Sequence, residues 1–264
     1  MKNIAFKYIP RFILYPLLQI IHKYIMQIFR SQSNESEIID FLVQKQSKFF
    51  IEFGIGPTEF NCSKLSTEGK KGILIDSNWD SIKIAKKILN KSTEILCMKL
   101  KPKDLLKLKQ KIPPAHQLIV SIDVDGNDFE FFEYALKKLE PDLIVCEFNP
   151  TFGNKRIKVP FNHNFDRFLW HNYYHGVSLN SLVDAAHQYN YCLTGVSSNM
   201  FNAFFMQSNT SQSKNCDRIR RKTLSDLDSS SRSLKSLMTQ KQQFTLIKNL
   251  PFDNLGKFKK ICPN

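Results

Sequence analysis

Five short apolar runs follow one another through residues 49–148, and each has the length of a buried strand. They are FFIEF (49–53), GILID (72–76), EILCMKL (94–100), LIVSIDV (118–124) and LIVCEF (143–148). Segments with the helical spacing of apolar residues lie between some of them, at 79–90, 103–112 and 129–139. Strands that are apolar on both sides and alternate with helices predict a parallel sheet with helices on both faces.

The pattern changes after Pro150. An aromatic-rich connection (151–177) leads to a helix that Ser178 caps, and the apolar runs YCLTGV (191–196) and NAFFMQ (202–207) follow. The five residues between these two runs are too few for a crossover helix, so we predict that the last two strands pair antiparallel. The predicted fold is a Rossmann-like sheet of seven strands, mostly parallel, with an antiparallel carboxy-terminal strand.

The positive charge of the chain lies mainly at its two ends. The net charge is +14, but residues 31–210 are nearly neutral, whereas residues 1–30 carry five Lys and Arg and no acid. Residues 211–264 carry twelve Lys and Arg against four acids. A protein that binds nucleic acid normally has its basic patch on the folded body, so this distribution argues against such a partner. It favours end segments that contact an anionic surface.

The charge and the polar linker before residue 37 divide the chain into three parts. We expect a basic amphipathic segment with a linker (1–36), a folded domain (37–210) and a basic, partly disordered tail (211–264). The residues from 208 to 243, rich in Ser, Lys, Arg and Gln, are expected to be poorly ordered.

The amino-terminal segment contains the uncharged stretch FILYPLLQIIH (12–22). This is about half the length that a membrane-spanning helix needs, and no typical signal-peptide cleavage site follows. Its apolar residues from Leu17 onward share one helical face, so it is either a helix packed on the domain or an amphipathic helix on an anionic membrane. Because the six cysteines form no close pair, we expect a cytoplasmic protein. The membrane alternative would hold it peripherally at the inner membrane face.

Polar residues follow four of the predicted strands at the point where each strand ends. The first strand ends in EFGIGP (52–57), the second in Asp76, the fourth in SIDVDGND (121–128) and the fifth in EFNP (147–150). The carboxyl ends of parallel strands line one crevice, where ligands bind in open α/β sheets. Glycines let a ligand approach the backbone, and an acid after the second strand suits ribose hydroxyls. These strand ends indicate a nucleoside-containing cofactor.

Four blocks of the chain resemble FkbM-like methyltransferases, a family of class I S-adenosylmethionine-dependent enzymes. They are IEFGIGPTEFNCSKL, SIDVDGNDFEFF, VCEFNPTFG and YYHGVSLNSLV with the later GVSSNMFNAFF, within residues 45–207. The resemblance implies an S-adenosylmethionine-dependent methyltransferase that methylates a hydroxyl of a sugar, a glycan or another small molecule.

The resemblance also implies a cofactor site along the first two strand ends. It assigns cofactor contacts to Glu52, Gly54, Ile55, Gly56, Asn61, Asp76, Ser77 and Asn78, with Asp76 on the ribose and Ser77 and Asn78 near the adenine. Thr58 stands where the family pattern has a third glycine, and Lys99 and Lys101 follow the third strand where an acid is usual. Acids in the crevice favour a cofactor with a sulfonium and an ammonium group over a pyrophosphate.

The candidate catalytic residues lie on the acceptor side of the crevice. They are Asp123, Glu147, Asn149 and His175. Three interpretations stay open here. Asp123, Asp125 and Glu147 could hold Mg²⁺ or Mn²⁺, or one carboxylate could act as general base without a metal. Alternatively, Asp125 and Asn127 shape the turn and cap the next helix.

Three loop histidines, His163, His171 and His175, lie in the aromatic connection, which would cover the site as a lid. Two other functions are compatible with the sequence. One is a non-catalytic membrane-surface binding protein with the same fold. The other is a nucleic-acid methyltransferase, because NPTF (149–152) resembles the Asn-Pro-Pro box of adenine N-methyltransferases, although it lies one strand too late and lacks the second proline.

Overall fold

The computed structural model of the protein describes residues 31–44, 47–56, 59–89, 91–114, 116–208, 216–229 and 238–255. The predicted amino-terminal helix lies outside the described residues. No helix among the residues described is long and apolar enough to cross a bilayer.

Seven strands form the central sheet, and two further short strands pair with each other. The strands are β1 (Lys48–Phe53), β2 (Lys71–Asp76), β3 (Thr93–Cys97), β4 (Gln117–Ile122), β5 (Leu143–Glu147), β6 (Ile157–Lys158), β7 (Tyr191–Val196), β8 (Asn202–Gln207) and β9 (Asp253–Asn254). The sheet order is β3-β2-β1-β4-β5-β8-β7, and β6 pairs with β9. Strands β1 to β5 are parallel, and β8 runs antiparallel to both β5 and β7. The predicted seven-stranded sheet with its antiparallel closing pair is therefore confirmed.

Nine helices connect or follow these strands in the described residues. They are α1 (Glu35–Leu42), α2 (Ser63–Thr67), α3 (Trp79–Ile88), α4 (Leu105–Lys109), α5 (Asp128–Lys138), α6 (Arg167–Trp170), α7 (Leu179–Gln188), α8 (Cys216–Ser229) and α9 (Gln240–Ile247). Two 3₁₀ turns, Pro102–Asp104 and Pro150–Phe152, follow β3 and β5. Helix α3 begins where the Asn78 side chain accepts from the Asp80 amide, and α7 begins where Ser178 accepts from Ser181. These two side-chain caps explain where the helices begin, and only the cap at Ser178 was predicted.

The sheet carries a hydrophobic core on each face, which explains why its strands are mostly apolar. Phe49, Ile51 and Phe53 of β1 pack into the core beneath α5 and α7. Phe50 points to the opposite face and packs with α1, α2 and α3. Because successive side chains of a strand alternate between faces, a strand that is covered on both sides is mostly apolar along its length.

Two helices, α8 and α9, lie among the described residues of the carboxy-terminal part. Helix α8 lies within the stretch expected to be poorly ordered, and its Leu227 is buried in the core beneath α7. Helix α9 adds Ile247 to a third apolar cluster with Phe152, Val159 and Tyr174. The few apolar residues of α8 occur at helical spacing among many charges, so composition alone hides the face that packs.

Candidate active site

The crevice of the sheet lies where the strand order reverses, between β1 and β4. Strands β2 and β3 lie on one side of β1, and β5 lies beyond β4. The loops after the carboxyl ends of β1 and β4 therefore diverge and leave a cleft, which is the usual ligand position in open α/β sheets. The predicted strand-end residues of β1, β2, β4 and β5 all lie at this edge.

A glycine turn forms one wall of the crevice. Gly54 has a φ of 81°, and its amide donates to the carbonyl of Ile75 at 2.9 Å. A Cβ at this position would overlap the Asp123 carbonyl oxygen, so the turn is held against the ends of β2 and β4. The Gly56 amide donates to the Glu59 carbonyl at 2.8 Å and closes the turn. Only glycine permits this approach of the backbone segments.

Glu52 and Asn61 lie beneath the crevice and are buried. The Glu52 carboxylate accepts from the amides of Asn61 at 3.0 Å and Cys62 at 2.8 Å, and from the Ser121 hydroxyl at 2.9 Å. The Asn61 side chain donates to the Ser121 oxygen at 3.0 Å. Burial raises the pKa of Glu52, although these hydrogen bonds counteract it. The sequence assigned cofactor contacts to Glu52 and Asn61, but the structure uses both to fasten α2 to β1 and β4.

Asp76 joins the second strand end to the glycine turn. Its Oδ2 accepts from the Ile55 amide at 2.7 Å and its Oδ1 from the Asn78 amide at 2.5 Å. Burial raises the pKa of Asp76, and the two backbone donors partly offset that. Ser77 and Asn78 beside it are exposed. A carboxylate has about four lone-pair positions, so Asp76 retains acceptor capacity toward the crevice.

Three carboxylates meet at the ends of β4 and β5. One oxygen each of Asp123, Asp128 and Glu147 lies within 4.8 Å of the others. Burial, and then the charge of Glu147, raise the pKa of Asp123 well above its ordinary value. We call these three residues the acid cluster.

Asp128 closes the SIDVDGND turn from inside. It accepts from the Val124 amide at 2.9 Å and the Gly126 amide at 3.0 Å, and it is fully buried. Burial raises its pKa to about 6. The sequence placed Asp125 in the cluster instead. That prediction is wrong because Asp125 has a positive φ of 56° in the turn and its side chain lies 63% exposed.

Arg167 of α6 is the residue that sequence reasoning missed. Its Nη1 donates to Asp125 Oδ1 at 2.5 Å. Burial alone would lower the pKa of Arg167, but the charges of Asp125, Glu147 and Asp123 outweigh it and raise that pKa. A basic residue in an aromatic loop gives no signal of this position in the sequence. The contact joins residues 42 positions apart.

Asn149 and His175 lie close to Glu147 but differ in what they contact. The side-chain Nδ2 of Asn149 donates to the carbonyls of Tyr173 at 2.8 Å and His175 at 2.9 Å. Its Oδ1 accepts from the Thr151 backbone amide at 3.0 Å. Asn149 therefore holds the chain around residue 175 in place and has no amide hydrogen left for a substrate. The catalytic role of Asn149 stays a prediction, and in this structure its side chain positions the chain around residue 175.

His175 is buried, and its Nδ1 lies 3.9 Å from Glu147 Oε2, too far for a hydrogen bond. Burial, and then the charge of Arg167, lower the pKa of His175 well below its ordinary value, so the imidazole is neutral. The other two loop histidines lie on the same connection, and His171 Nδ1 accepts from the Tyr173 amide at 3.2 Å.

The carboxylates of the predicted magnesium or manganese site already have other partners. Asp125 points to Arg167, and both oxygens of Asp128 already accept backbone hydrogen bonds. Asp123 and Glu147 remain, and the Arg167 guanidinium brings a positive charge to them. Mg²⁺ prefers several free oxygen ligands, so partly occupied carboxylates beside a guanidinium disfavour it.

Comparison with known proteins gives a similar topology at low identity. No family model matches the chain, and no curated protein matches it. An O-methyltransferase family protein from Burkholderia thailandensis aligns at 10% identity over 71% of this chain and 58% of that chain, with a TM-score of 0.40. A TehB-like S-adenosylmethionine-dependent methyltransferase from Corynebacterium glutamicum aligns at 12% identity over 73% and 97%, with a TM-score of 0.41.

The plantazolicin methyltransferase BamL aligns at 14% identity over 74% of this chain and 79% of that chain, with a TM-score of 0.43. These scores are too low to carry an argument about function. The proposed function therefore rests on the geometry of the crevice.

Proposed function

We propose that the protein is an S-adenosylmethionine-dependent methyltransferase that methylates a hydroxyl of a small molecule or glycan. The observation that carries the proposal is the joint between the first two strand ends, where Asp76 binds the Ile55 amide inside the glycine turn. This joint places an acid and a close-approach backbone side by side at the topological switch point, as a nucleoside cofactor requires.

The charge of the crevice favours a cationic cofactor over a dinucleotide. Asp76, Asp123 and Glu147 all lie at its edge, and a pyrophosphate would be repelled by them. The sulfonium and ammonium groups of S-adenosylmethionine would instead be attracted. When bound, this cofactor would supply an activated methyl group.

Each wall of the crevice has a role in the proposal. The backbone of Gly54, Ile55 and Gly56 would lie against the methionine and ribose, and Asp76 would accept from the ribose hydroxyls. Ser77 and Asn78, which are exposed, would lie near the adenine. Glu52 and Asn61 support this wall from below without touching the cofactor.

The acceptor side would use Asp123 or Glu147 as general base. One of these carboxylates would take up the proton of the acceptor hydroxyl. The raised pKa of Asp123 suits this role, because a base works best when its pKa approaches the working pH. The neutral imidazole of His175 lies beside Glu147 and would position the acceptor hydroxyl.

The acceptor class and the location of the protein rest on the family resemblance and on the charge distribution. Aromatic side chains of the connection after β5, such as Trp170 and Tyr173, offer flat surfaces on which a sugar ring can pack. Attachment to the inner membrane face would depend on residues 1–30 and is tested separately below.

Titration calorimetry with S-adenosylmethionine tests the proposal. We expect saturable binding at one site per chain, and tighter binding of S-adenosylmethionine than of NAD. Incubation with methyl-labelled cofactor and pooled metabolites or glycans should then label a hydroxyl, identified by mass spectrometry. A protein that is folded by circular dichroism but binds no S-adenosylmethionine would refute the proposed function.

A further inference from the structure

A single loop segment crosses the mouth of the crevice. We call residues 161–170 the cover segment. Two hydrogen bonds join its Asn162 to Asn127 in the turn after β4. The Asn127 side-chain Nδ2 donates to the Asn162 carbonyl at 2.9 Å, and the Asn162 backbone amide donates to Asn127 Oδ1 at 3.2 Å. On the other side Lys99, which follows β3, donates to Asn164 Oδ1 at 3.2 Å. The cover segment therefore connects strand ends on both sides of β1.

The cover segment also makes close apolar contacts with the turn after β4. Phe165 lies directly over Gly126, where a Cβ would overlap its ring. Phe165 also packs against Tyr174, with ring centroids 6.2 Å apart. The turn at residues 123–128 and the cover segment are fitted to each other in this arrangement.

Without Arg167, the contact between the turn and the cover segment would hold an excess of negative charge. Four carboxylates lie close together here, and their charges shift the pKa of Asp123 or of Arg167: Asp123, Asp125, Asp128 and Glu147. Arg167 comes from the cover segment, and its side chain is only 24% exposed. An arginine keeps its charge at all working pH values, so it compensates these acids permanently while the segment is closed.

We infer that Arg167, which pairs with Asp125 beside the acid cluster, is the resident counter-ion of the carboxylates at the ends of β4 and β5, in place of the divalent metal that the sequence leaves open. Arg167 is then a positioning residue: its fixed fork holds Asp125 and keeps the cover segment over the acceptor side of the crevice. A metal ion at the cluster would have to displace this guanidinium or accept repulsion from it. The reaction role of Arg167 rests on the proposed function, but its role as counter-ion does not.

Manganese binding measured by electron paramagnetic resonance tests the counter-ion on the full chain. We expect weak binding to the wild-type protein and at least tenfold tighter binding to Arg167→Gln, in which the acids lose their compensating charge. Arg167→Lys should bind manganese as weakly as the wild type. The matched control is Arg156→Gln, since Arg156 forms a similar half-buried pair with Asp184 at 2.6 Å on another part of the surface.

Hydrogen exchange of residues 161–170 tests the closure. We expect faster exchange in Arg167→Gln, wild-type-like exchange in Arg156→Gln and partial recovery in Arg167→Lys. Tight manganese binding to the wild type that Asp123→Asn abolishes would overturn the inference, as would unchanged affinity and exchange in Arg167→Gln. None of these measurements uses S-adenosylmethionine, so they can fail while calorimetry still supports the proposed function, and the reverse.

Discussion

Gly54 has no room for a side chain, because a Cβ there would overlap the Asp123 carbonyl oxygen. Its positive φ and the carbonyl of Asp123 exclude any side chain. We expect Gly54→Ala to lower the free energy of unfolding by about 2–4 kcal/mol, from backbone strain together with displacement of the turn. Urea denaturation measures this loss.

Gly195→Ala is the control for that variant. A Cβ at Gly195 would meet its neighbours at 3.7 Å or more, which is ordinary contact. Its stability should stay close to that of the wild type. If Gly54→Ala proved equally harmless, the close approach of the glycine turn to β4 would be incorrect.

Asp76 is the acid on which cofactor binding should depend most. Asp76→Ala is expected to weaken S-adenosylmethionine binding by about 1–3 kcal/mol, the usual loss for a charge-assisted hydrogen bond. Calorimetry compares it with Asp142→Ala, because Asp142 also accepts from a backbone amide, that of Leu118 at 2.8 Å, but at the opposite end of β4. Equal affinities in the two variants would argue against ribose binding by Asp76.

Asp128 should make the stability of the protein depend on pH. Its folded pKa of about 6 exceeds the ordinary value of 3.8, so the protonated form favours folding. This contribution is complete below the ordinary value and is lost as the pH rises through about 6, by up to about 3 kcal/mol. Asp128→Asn does not titrate, so the stability of the wild type relative to this variant should fall over that range. A constant difference between the two unfolding curves would contradict the raised pKa.

At the scale of elements, the strands could be predicted and the long-range contacts could not. The two-sided cores make β1 to β5 mostly apolar, a pattern that the sequence shows directly. The end of β3 was placed too late, because Met98 leaves the sheet after one last bond to the Asp76 carbonyl. The predicted helix at 103–112 is a short 3₁₀ turn followed by α4.

The acid cluster was predicted only in part, because the sequence pattern shows strand ends but not the contacts of turns and loops. Asp123 and Glu147 follow strands whose register the apolar runs determine. The exchange of Asp125 for Asp128 depends on backbone dihedrals within the turn, and Arg167 reaches the site from a loop whose path no local pattern specifies. Local periodicity predicts neither the dihedral angles of the turn nor the path of the loop that carries Arg167.

Helix α9 gives a test of the third apolar cluster. Ile247 is fully buried beside Phe152, whereas its neighbour Leu246 is 52% exposed. Ile247→Ala is expected to cost about 2–4 kcal/mol in the free energy of unfolding, as for a large-to-small change in a core. Leu246→Ala should change it by less than about 0.5 kcal/mol. Similar effects of both changes would mean that α9 does not pack on the 3₁₀ turn after β5.

At the scale of the whole molecule, the uneven charge predicts where an anionic surface would bind. Residues 1–30, which lie outside the described residues, carry five basic residues and no acid. Each well-placed basic residue contributes about 1 kcal/mol to binding an anionic bilayer. Deleting residues 1–30 should therefore release the protein from phosphatidylserine vesicles in a sedimentation assay, while S-adenosylmethionine binding persists. Unfolding of the truncated protein would show that the segment belongs to the core instead.

The position of β8 between β5 and β7 has a consequence for synthesis on the ribosome. Leu143 of β5 pairs with Met206 of β8, so β5 has no partner on that side until the chain has been made past residue 207. During that interval its unpaired backbone groups form an apolar edge that can template association with another chain. Nascent chains that stop between β5 and β8 should therefore aggregate, and binding by a chaperone should be strongest over this window of translation.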